Sequence, residues 1–129
     1  MTPRVEAGLR QADNDLAMAG YAVDGGFHAQ ACYHASQEAE KALKAILISL
    51  DSEPRQTHAL EALVSSLAAA GVPTEPLTGL RLNALSRMNS ATRYPDGDQA
   101  PSDLFDRVDA DMAIATAKNV LAFVHSLMP

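Results

Sequence analysis

The sequence predicts an all-α fold, an antiparallel up-and-down bundle of about five helices. Apolar residues recur every three to four positions through most of the chain, and no segment shows the strict alternation of a strand. Aromatic residues make up only 5% of the chain and Trp is absent, a composition that favours close-packed helices over sheets. Short segments rich in Gly, Pro and Asp separate the periodic stretches. Helices joined by short turns pack antiparallel.

Length and charge limit the class of protein. With 129 residues, we expect a single domain over residues 1–129, large enough for a core without disulfides. The formal net charge of −6 argues against a broadly basic nucleic-acid surface, although a local basic patch is compatible with it. The single cysteine, Cys32, excludes an internal disulfide and fits a reducing compartment. A charged N-terminus and the lack of an apolar run of ~20 residues predict a cytoplasmic protein without membrane association.

The first three helices are bounded by proline, glycine and a threonine cap. The first is expected from about Pro3 to Tyr21, since proline is tolerated in an opening turn. The second is expected from Phe27 to Leu50. Thr57 is expected to cap a third helix from His58 to Ala70, and Gly71 stands where a C-terminal cap is needed.

Two further helices complete the predicted bundle. The fourth is expected from Glu75 to Ala91, with one apolar face along its whole length. The segment RYPDGDQAPSD that follows cannot continue a helix, because it is rich in Pro, Gly and Asp. The last helix is expected to start near Ser102 or Asp103 and to run almost to the end of the chain.

The last helix is apolar on two sides. One side contains Leu104, Phe105, Val108, Met112, Ala115, Ala122 and Phe123. The other side, with spacings that alternate between four and three as in a heptad, contains Ala110, Ile114, Ala117, Leu121 and Val124. A helix of this kind must bury both sides. Either it occupies a central position in the bundle, or the second side is the interface of a homodimer.

The second helix carries most of the chemically versatile side chains. His34 and Glu38 stand four residues apart, but the chain has neither an H-E-x-x-H nor a Glu-x-x-His pattern. Glu38 falls at the edge of the apolar arc and needs a partner if it is buried. Cys32 has no second cysteine and is interpreted as a small buried thiol. Glycine-rich phosphate loops and G-x-S-x-G are also absent. We therefore predict no catalytic residue, no metal site and no cofactor.

Three segments in a fixed order resemble the HEPN domain family of small helical domains. They are GGFHAQACYHASQEAEKALKAIL, THALEALVSSL and LNALSRMNSATRYPDG. The matching residues are Phe27, Ala31, Gln37, Glu40, Lys41, Lys44, Leu47, His58, Leu60, Arg93, Tyr94 and Pro95. The resemblance implies a self-associating helical bundle that often works beside a minimal nucleotidyltransferase, sometimes as a toxin–antitoxin pair. It also implies a link to nucleotides or RNA, because many relatives are metal-independent ribonucleases with an Arg-x4-6-His motif.

The sequence departs from that ribonuclease motif. No arginine is followed by histidine after four to six residues, and the nearest approach, Arg55 to His58, has only two residues between them. The reaction needs an imidazole to move a proton and a guanidinium to stabilise the phosphate charge, in one fixed geometry. Whether the chain is an enzyme is therefore left open, with a non-catalytic protein favoured.

Without the ribonuclease motif, the sequence still contains five candidate residues for binding a nucleotide or RNA. Arg93 and Tyr94 are candidates to hold a phosphate and stack a base. Lys41 and Lys44 would add positive charge, and His58 would lie at a helix N-terminus suited to anions. Each also has a purely structural interpretation, as a solvated face, a capping residue or a helix-terminal charge.

Three functional hypotheses follow. The leading one is a non-catalytic, nucleotide-associated HEPN protein that forms a homodimer and partners a minimal nucleotidyltransferase. The second is a ribonuclease toxin of a toxin–antitoxin pair with a diverged site. The third is a structural bundle that binds no ligand.

Overall fold

Helices make up the regular structure of the chain in a computed structural model that describes residues 1–128. They are α1 (Pro3–Asp24), α2 (His28–Ser49), α3 (Leu60–Ala69), α4 (Leu82–Ala91), α5 (Pro101–Leu104) and α6 (Arg107–Leu127). A short 3₁₀ helix, Glu75–Leu77, lies between α3 and α4. The described residues contain no strand beyond an isolated bridge between Asp96 and Gln99. The predicted all-α class is confirmed. Within residues 1–128, no helix has the length and apolar character needed to cross a membrane.

The first two helices form a tightly packed antiparallel pair. α1 begins after Thr2, whose Oγ1 accepts a hydrogen bond from the backbone N–H of Val5 and so satisfies one donor of the first turn. Gly8 of α1 faces Ala45 near the end of α2, and a Cβ added to Gly8 would lie 3.2 Å from the Cβ of Ala45. The two backbones therefore approach so closely that small side chains are needed at the contact.

α2 is the central helix of the bundle and contacts α1, α3, α4 and α6. Its small-residue face is completely buried and comprises Ala31, Ala35, Ala39 and Ala42. α4 runs antiparallel to α2, because Gln37 bonds to Asn89 while Tyr33, one turn earlier, lies beside Arg93. The core between the helices is mostly alanine and leucine, and leucine loses little rotamer freedom in a helix.

Two predicted helix starts were wrong. The third helix begins at Leu60 after an Ala59 cap, because the Thr57 hydroxyl accepts from the N–H of Ala59 in a local turn and does not cap the helix. The predicted helix from Glu75 is interrupted after its first turn. Gly79 has a φ of 87°, a left-handed conformation that ends helical structure, and α4 starts only at Leu82. By contrast, Gly71 does follow α3 with a φ of 89°, as a C-terminal cap requires.

The last predicted helix is also two helices. α5 ends at Leu104, and Asp106 then begins α6 by capping it. The Asp106 carboxylate accepts from the backbone N–H of Asp109, while the Asp109 carboxylate accepts from the N–H of Asp106. This reciprocal pair satisfies two backbone donors and starts a new helix after the break.

The heptad-like side of α6 lies inside the chain, as expected from the first of the two alternatives, a central position in the bundle. Ala110, Ala117, Leu121 and Val124 are buried, and Ile114 is partly buried against the same core. α6 packs mainly on α2, and a face covered by its own chain has no apolar surface left for a second copy. In its first turns α6 exposes apolar residues of the other side, where Val108 is 64% and Met112 41% exposed.

Candidate functional site

An open polar groove runs along the outer face of α4. One wall is the segment Thr57–Ala59 with Glu61 from α3. The other wall is a strip of α4, formed by Asn83, Ser86, Arg87, Asn89 and Ser90. These α4 residues recur at spacings of three and four, which places them along one side of a helix, and Asn89 lies at the edge where this side meets the buried Leu82 and Leu85. We call this surface the α4 groove.

Arg87 supplies a positive charge to the α4 groove, and its side chain is open to a ligand. Glu61 is the only acidic residue that lines the groove within the described chain, and its carboxylate accepts a hydrogen bond from Ser86 Oγ at 2.8 Å. Ser86 Oγ in turn accepts from the backbone N–H of Leu60 at 2.9 Å. Arg87 forms no ion pair within residues 1–128. Its guanidinium is therefore available to an anion in the groove.

Glu40 brings His58 and Lys44 together beside this groove. Its carboxylate is buried, with Oε1 2.7 Å from His58 Nδ1 and Oε2 3.1 Å from Lys44 Nζ. Because an ionised carboxylate can only accept, Nδ1 of His58 carries the proton and donates, so Nε2 is the nitrogen left for the solvent-exposed edge of the ring. His58 lines the groove, but it precedes the Ala59 cap and so lies outside helix α3.

Arg93 follows α4 and is held against the N-terminal part of α2. Its Nε donates to the backbone carbonyl of Asn89 at 2.7 Å, and its Cζ lies 5.0 Å from the ring centroid of Tyr33 and 5.2 Å from that of Tyr94. Cation–π contacts with two rings fix the plane of the guanidinium. The terminal nitrogens form no hydrogen bond within residues 1–128, so they are available for a bidentate contact with a phosphate. Tyr94 is itself 60% exposed.

Asn89 and Gln37 connect these two regions. Gln37 Nε2 donates to Asn89 Oδ1 at 2.7 Å, across the interface between α2 and α4. Asn89 lines the groove and is largely buried. Four of the five residues expected from the sequence, Lys44, His58, Arg93 and Tyr94, thus lie along one surface between α2 and α4.

Lys41 is the exception, because it faces α1. Its Nζ donates to Asp15 Oδ2 at 2.6 Å, and the other carboxylate oxygen of Asp15 lies 3.6 Å from Nδ1 of His34. Asp15 is buried. Lys41 thus balances a buried carboxylate in the α1–α2 interface and is directed away from the α4 groove.

Two buried groups of α2 have strongly raised pKa values. Glu38 is completely buried and neither carboxylate oxygen has a hydrogen-bond partner within residues 1–128. Desolvation, with smaller contributions from Asp13 and Asp15, raises its pKa to about 9. Burial likewise raises the pKa of the Cys32 thiol to about 12, so this thiol is not a nucleophile at neutral pH. In the described part of the chain, no group of three or more His, Cys, Asp or Glu residues is placed to hold a metal ion.

The sequence interpretation missed the α4 strip itself. Asn83, Ser86, Arg87, Asn89 and Ser90 were not among the expected site residues. Their signal was present, since polar residues recur at helical spacing opposite the apolar face of α4. It was obscured because the predicted helix began at Glu75, whereas α4 starts only at Leu82.

The fold is a small helical bundle with an open polar groove beside α4. The family model of the HEPN domain matches residues 5–127. The chain therefore belongs to the HEPN domain family, and the resemblance drawn from its three motifs is confirmed.

Solved structures agree with this assignment. The structure of TT1696 from Thermus thermophilus shares 29% identity, with a TM-score of 0.86 and coverage of 97% of this chain and 98% of that one. ST0689, described as an archaeal HEPN homologue, shares 26% identity with a TM-score of 0.74, covering 99% and 100% of the two chains. A HEPN domain protein from Thermotoga maritima has the same fold at 20% identity, with a TM-score of 0.71 and coverage of 95% and 97%. A comparison with curated protein sequences gave no match.

Proposed function

We propose that this HEPN protein is a non-catalytic binding protein that holds a nucleotide, or the phosphate of an RNA, along the α4 groove. The observation that carries the proposal is the geometry of Arg93. Its guanidinium is fixed by the Asn89 carbonyl and by two tyrosine rings, while its terminal nitrogens are unengaged within residues 1–128. A guanidinium immobilised in this way loses little conformational entropy when it binds a phosphate.

The surroundings of Arg93 support a ligand with both a phosphate and a base. Tyr94 offers an exposed ring beside the Arg93 guanidinium, and an aromatic ring can stack any base. Arg87 and His58 supply further donors along the groove. A phosphate on Arg93 with a base on Tyr94 would use both residues as the sequence led us to expect.

A ribonuclease with a diverged site is the second candidate, and one specific observation favours it. The Glu40 carboxylate holds the exposed imidazole of His58 at 2.7 Å, and His58 shares the groove with Arg87. A carboxylate-oriented imidazole beside a guanidinium is an arrangement that performs general acid–base catalysis on phosphates. It differs from the Arg-x4-6-His motif, because its members come from three different segments of the chain.

Homodimerisation and a minimal nucleotidyltransferase partner also belong to the proposal. The partner is supported by the family resemblance alone. The dimer has additional support from the exposed apolar residues Val108 and Met112 on the first turns of α6, since such a patch is usual at protein interfaces. Met112 also lines a crevice between α4 and α6, whose other lining residues are apolar apart from Arg81, Asp109 and Thr116. Opposite charges beside one apolar patch suit a twofold interface.

Calorimetry with ATP, GTP and tripolyphosphate tests the binding proposal. The wild-type protein should bind at least one of the three, and Arg93→Ala should weaken the affinity about tenfold or more, as expected for a lost charge-assisted contact. Arg10→Ala is the matched control, because it removes the same charge from an exposed position on α1 outside the groove. No heat with any of the three ligands at millimolar concentration would support the structural-bundle hypothesis instead.

Cleavage of RNA separates the two candidates. Incubation of the purified protein with single-stranded RNA in the presence of a chelator should leave the RNA intact. Robust cleavage that is lost in both His58→Ala and Glu40→Gln would establish the ribonuclease and overturn the non-catalytic proposal.

A further inference from the structure

The amide pair of Gln37 and Asn89 has a defined polarity. Gln37 Nε2 is the donor and Asn89 Oδ1 the acceptor, at 2.7 Å. The contact joins residues 52 positions apart in the chain, so it depends on the packing of α2 against α4. Asn89 is only 8% exposed, and its backbone carbonyl is engaged by Arg93.

The remaining atom of the Asn89 amide is Nδ2. It forms no hydrogen bond within residues 1–128, and it is not among the polar atoms that are buried without a partner. Nδ2 is therefore not fully buried, and Asn89 is one of the residues that line the α4 groove. An amide turned the other way would instead present its oxygen to the groove.

The orientation of the Asn89 amide matters, because the neighbouring groups that could bind an anion are hydrogen-bond donors. Arg87 and the exposed edge of His58 line the groove, and Arg93 lies one helical turn beyond Asn89. A carbonyl oxygen among these groups would repel the oxyanion that they attract. An NH2 group adds a neutral donor to the groove, which is the kind of contact that orients an oxyanion.

We propose that Gln37 is a positioning residue for the ligand site. By donating to Asn89 Oδ1, its amide directs Asn89 Nδ2 into the α4 groove and makes Asn89 a donor to an oxyanion of the bound phosphate compound. This inference rests on the proposed function, since it concerns the same groove. It adds two residues that were not among those expected to bind ligand.

The substitution Gln37→Glu reverses the polarity with almost no change in volume. A glutamate carboxylate can only accept, so Asn89 must turn its Nδ2 toward residue 37 and its Oδ1 toward the groove. Gln37→Met removes the polar contact without reversing it and serves as the control. Tripolyphosphate affinity, measured by calorimetry, should fall about tenfold or more in Gln37→Glu and by a clearly smaller factor in Gln37→Met.

Side-chain amide signals in ¹H–¹⁵N spectra provide a readout that a merely structural role would not move. The Asn89 NH2 signal, assigned from its loss in Asn89→Asp, should shift when wild-type protein is saturated with tripolyphosphate. In ligand-free Gln37→Glu, one of the two Asn89 amide protons should move downfield because it now bonds to a carboxylate. Thermal unfolding of each variant establishes that the samples compared are folded, and Gln37→Met carries the affinity comparison if the glutamate variant is not.

The possible failures are distinguishable. Wild-type binding that is weakened by Arg93→Ala but unchanged in Gln37→Glu and Gln37→Met, with an unmoved Asn89 signal, would overturn the role of Gln37 and leave the proposed function intact. Absence of tripolyphosphate, ATP and GTP binding by the wild-type protein would overturn both.

Discussion

Replacement of the buried carboxyl group of Glu38 offers a quantitative test of the core around α2. Glu38 is completely buried, without a hydrogen-bond partner in the described residues. The substitution Glu38→Gln keeps the volume of the protonated acid and replaces its O–H donor with an NH2 group, but removes its ability to ionise. We expect this substitution to stabilise the protein at neutral pH, although it alters a core position.

The magnitude follows from the pKa of Glu38, which burial raises from 4.5 to about 9. At pH 7 the carboxyl group is protonated in the folded chain and ionised in the unfolded chain, so folding takes up a proton. The contribution of the Glu38 carboxyl group to the free energy of unfolding is fully present below pH 4.5 and is lost progressively as the pH rises toward 9. Each pH unit costs about 1.4 kcal/mol, which gives an expected gain for Glu38→Gln of about 3 kcal/mol at pH 7.

Urea unfolding of both proteins at several pH values measures this difference. The two free energies of unfolding should agree near pH 4.5 and diverge steadily up to pH 9. In a chain of this size, about 3 kcal/mol corresponds to an increase in Tm of about 10 °C. Glu53→Gln is the control, because Glu53 is exposed and pairs with the exposed Arg4, and an exposed ion pair contributes little to stability.

Two results would contradict the reasoning. A difference between wild type and Glu38→Gln that does not change with pH would mean that Glu38 does not take up a proton on folding. A destabilised Glu38→Gln at pH 8 would mean that the ionised carboxylate has a compensating partner in the folded protein.

Three further predictions concern the core, the surface of α6 and the thiol. Gly8→Leu should destabilise the chain by about 1–3 kcal/mol in urea unfolding, because even a Cβ lies 3.2 Å from that of Ala45; wild-type stability would show that the helices can separate. Leu121→Asp should unfold the chain, because it places a charge in the core. Met112→Asp should leave the helical circular dichroism unchanged and convert any dimer seen by light scattering to a monomer. A folded Leu121→Asp would place that residue outside the core. Cys32 should react with a thiol reagent at pH 8 only after denaturant is added, since its pKa is raised to about 12 and the thiol is buried; fast labelling of native protein would refute this.

Helix identity was readable from the sequence because it depends on local properties. The long helices α1 and α2 were located within three residues at each end, since apolar periodicity and flanking turn residues are encoded in short segments. Helix ends next to Thr57, Gly79 and Asp106 were misread. At each of them a hydrogen bond or a left-handed backbone competes with the helix, and periodicity alone does not resolve that competition.

The candidate site residues show the same division between properties encoded locally and contacts set by tertiary packing. Lys41 and Lys44 are three residues apart, which separates them by about 60° around a helix, and the sequence placed both on one polar face. Because α1 lies beside one edge of that face, Lys41 pairs with Asp15, whereas Lys44 joins His58 on Glu40. The contacts of Asn89 with Gln37 and Arg93 also required the pairing of α2 with α4.

By itself, the sequence determined that the chain is helical, that α2 has a face of small residues for close packing, and that its three motifs are those of a HEPN domain. It also determined that α6 is apolar on two sides. Only the tertiary structure decided which of those sides is covered within the chain, which polar residues of α4 form a groove, and how the lysines of α2 are divided. The physical reason is that amphipathic periodicity indicates which face of a helix avoids water. Which neighbouring helix covers that face is determined by the packing of all the helices together.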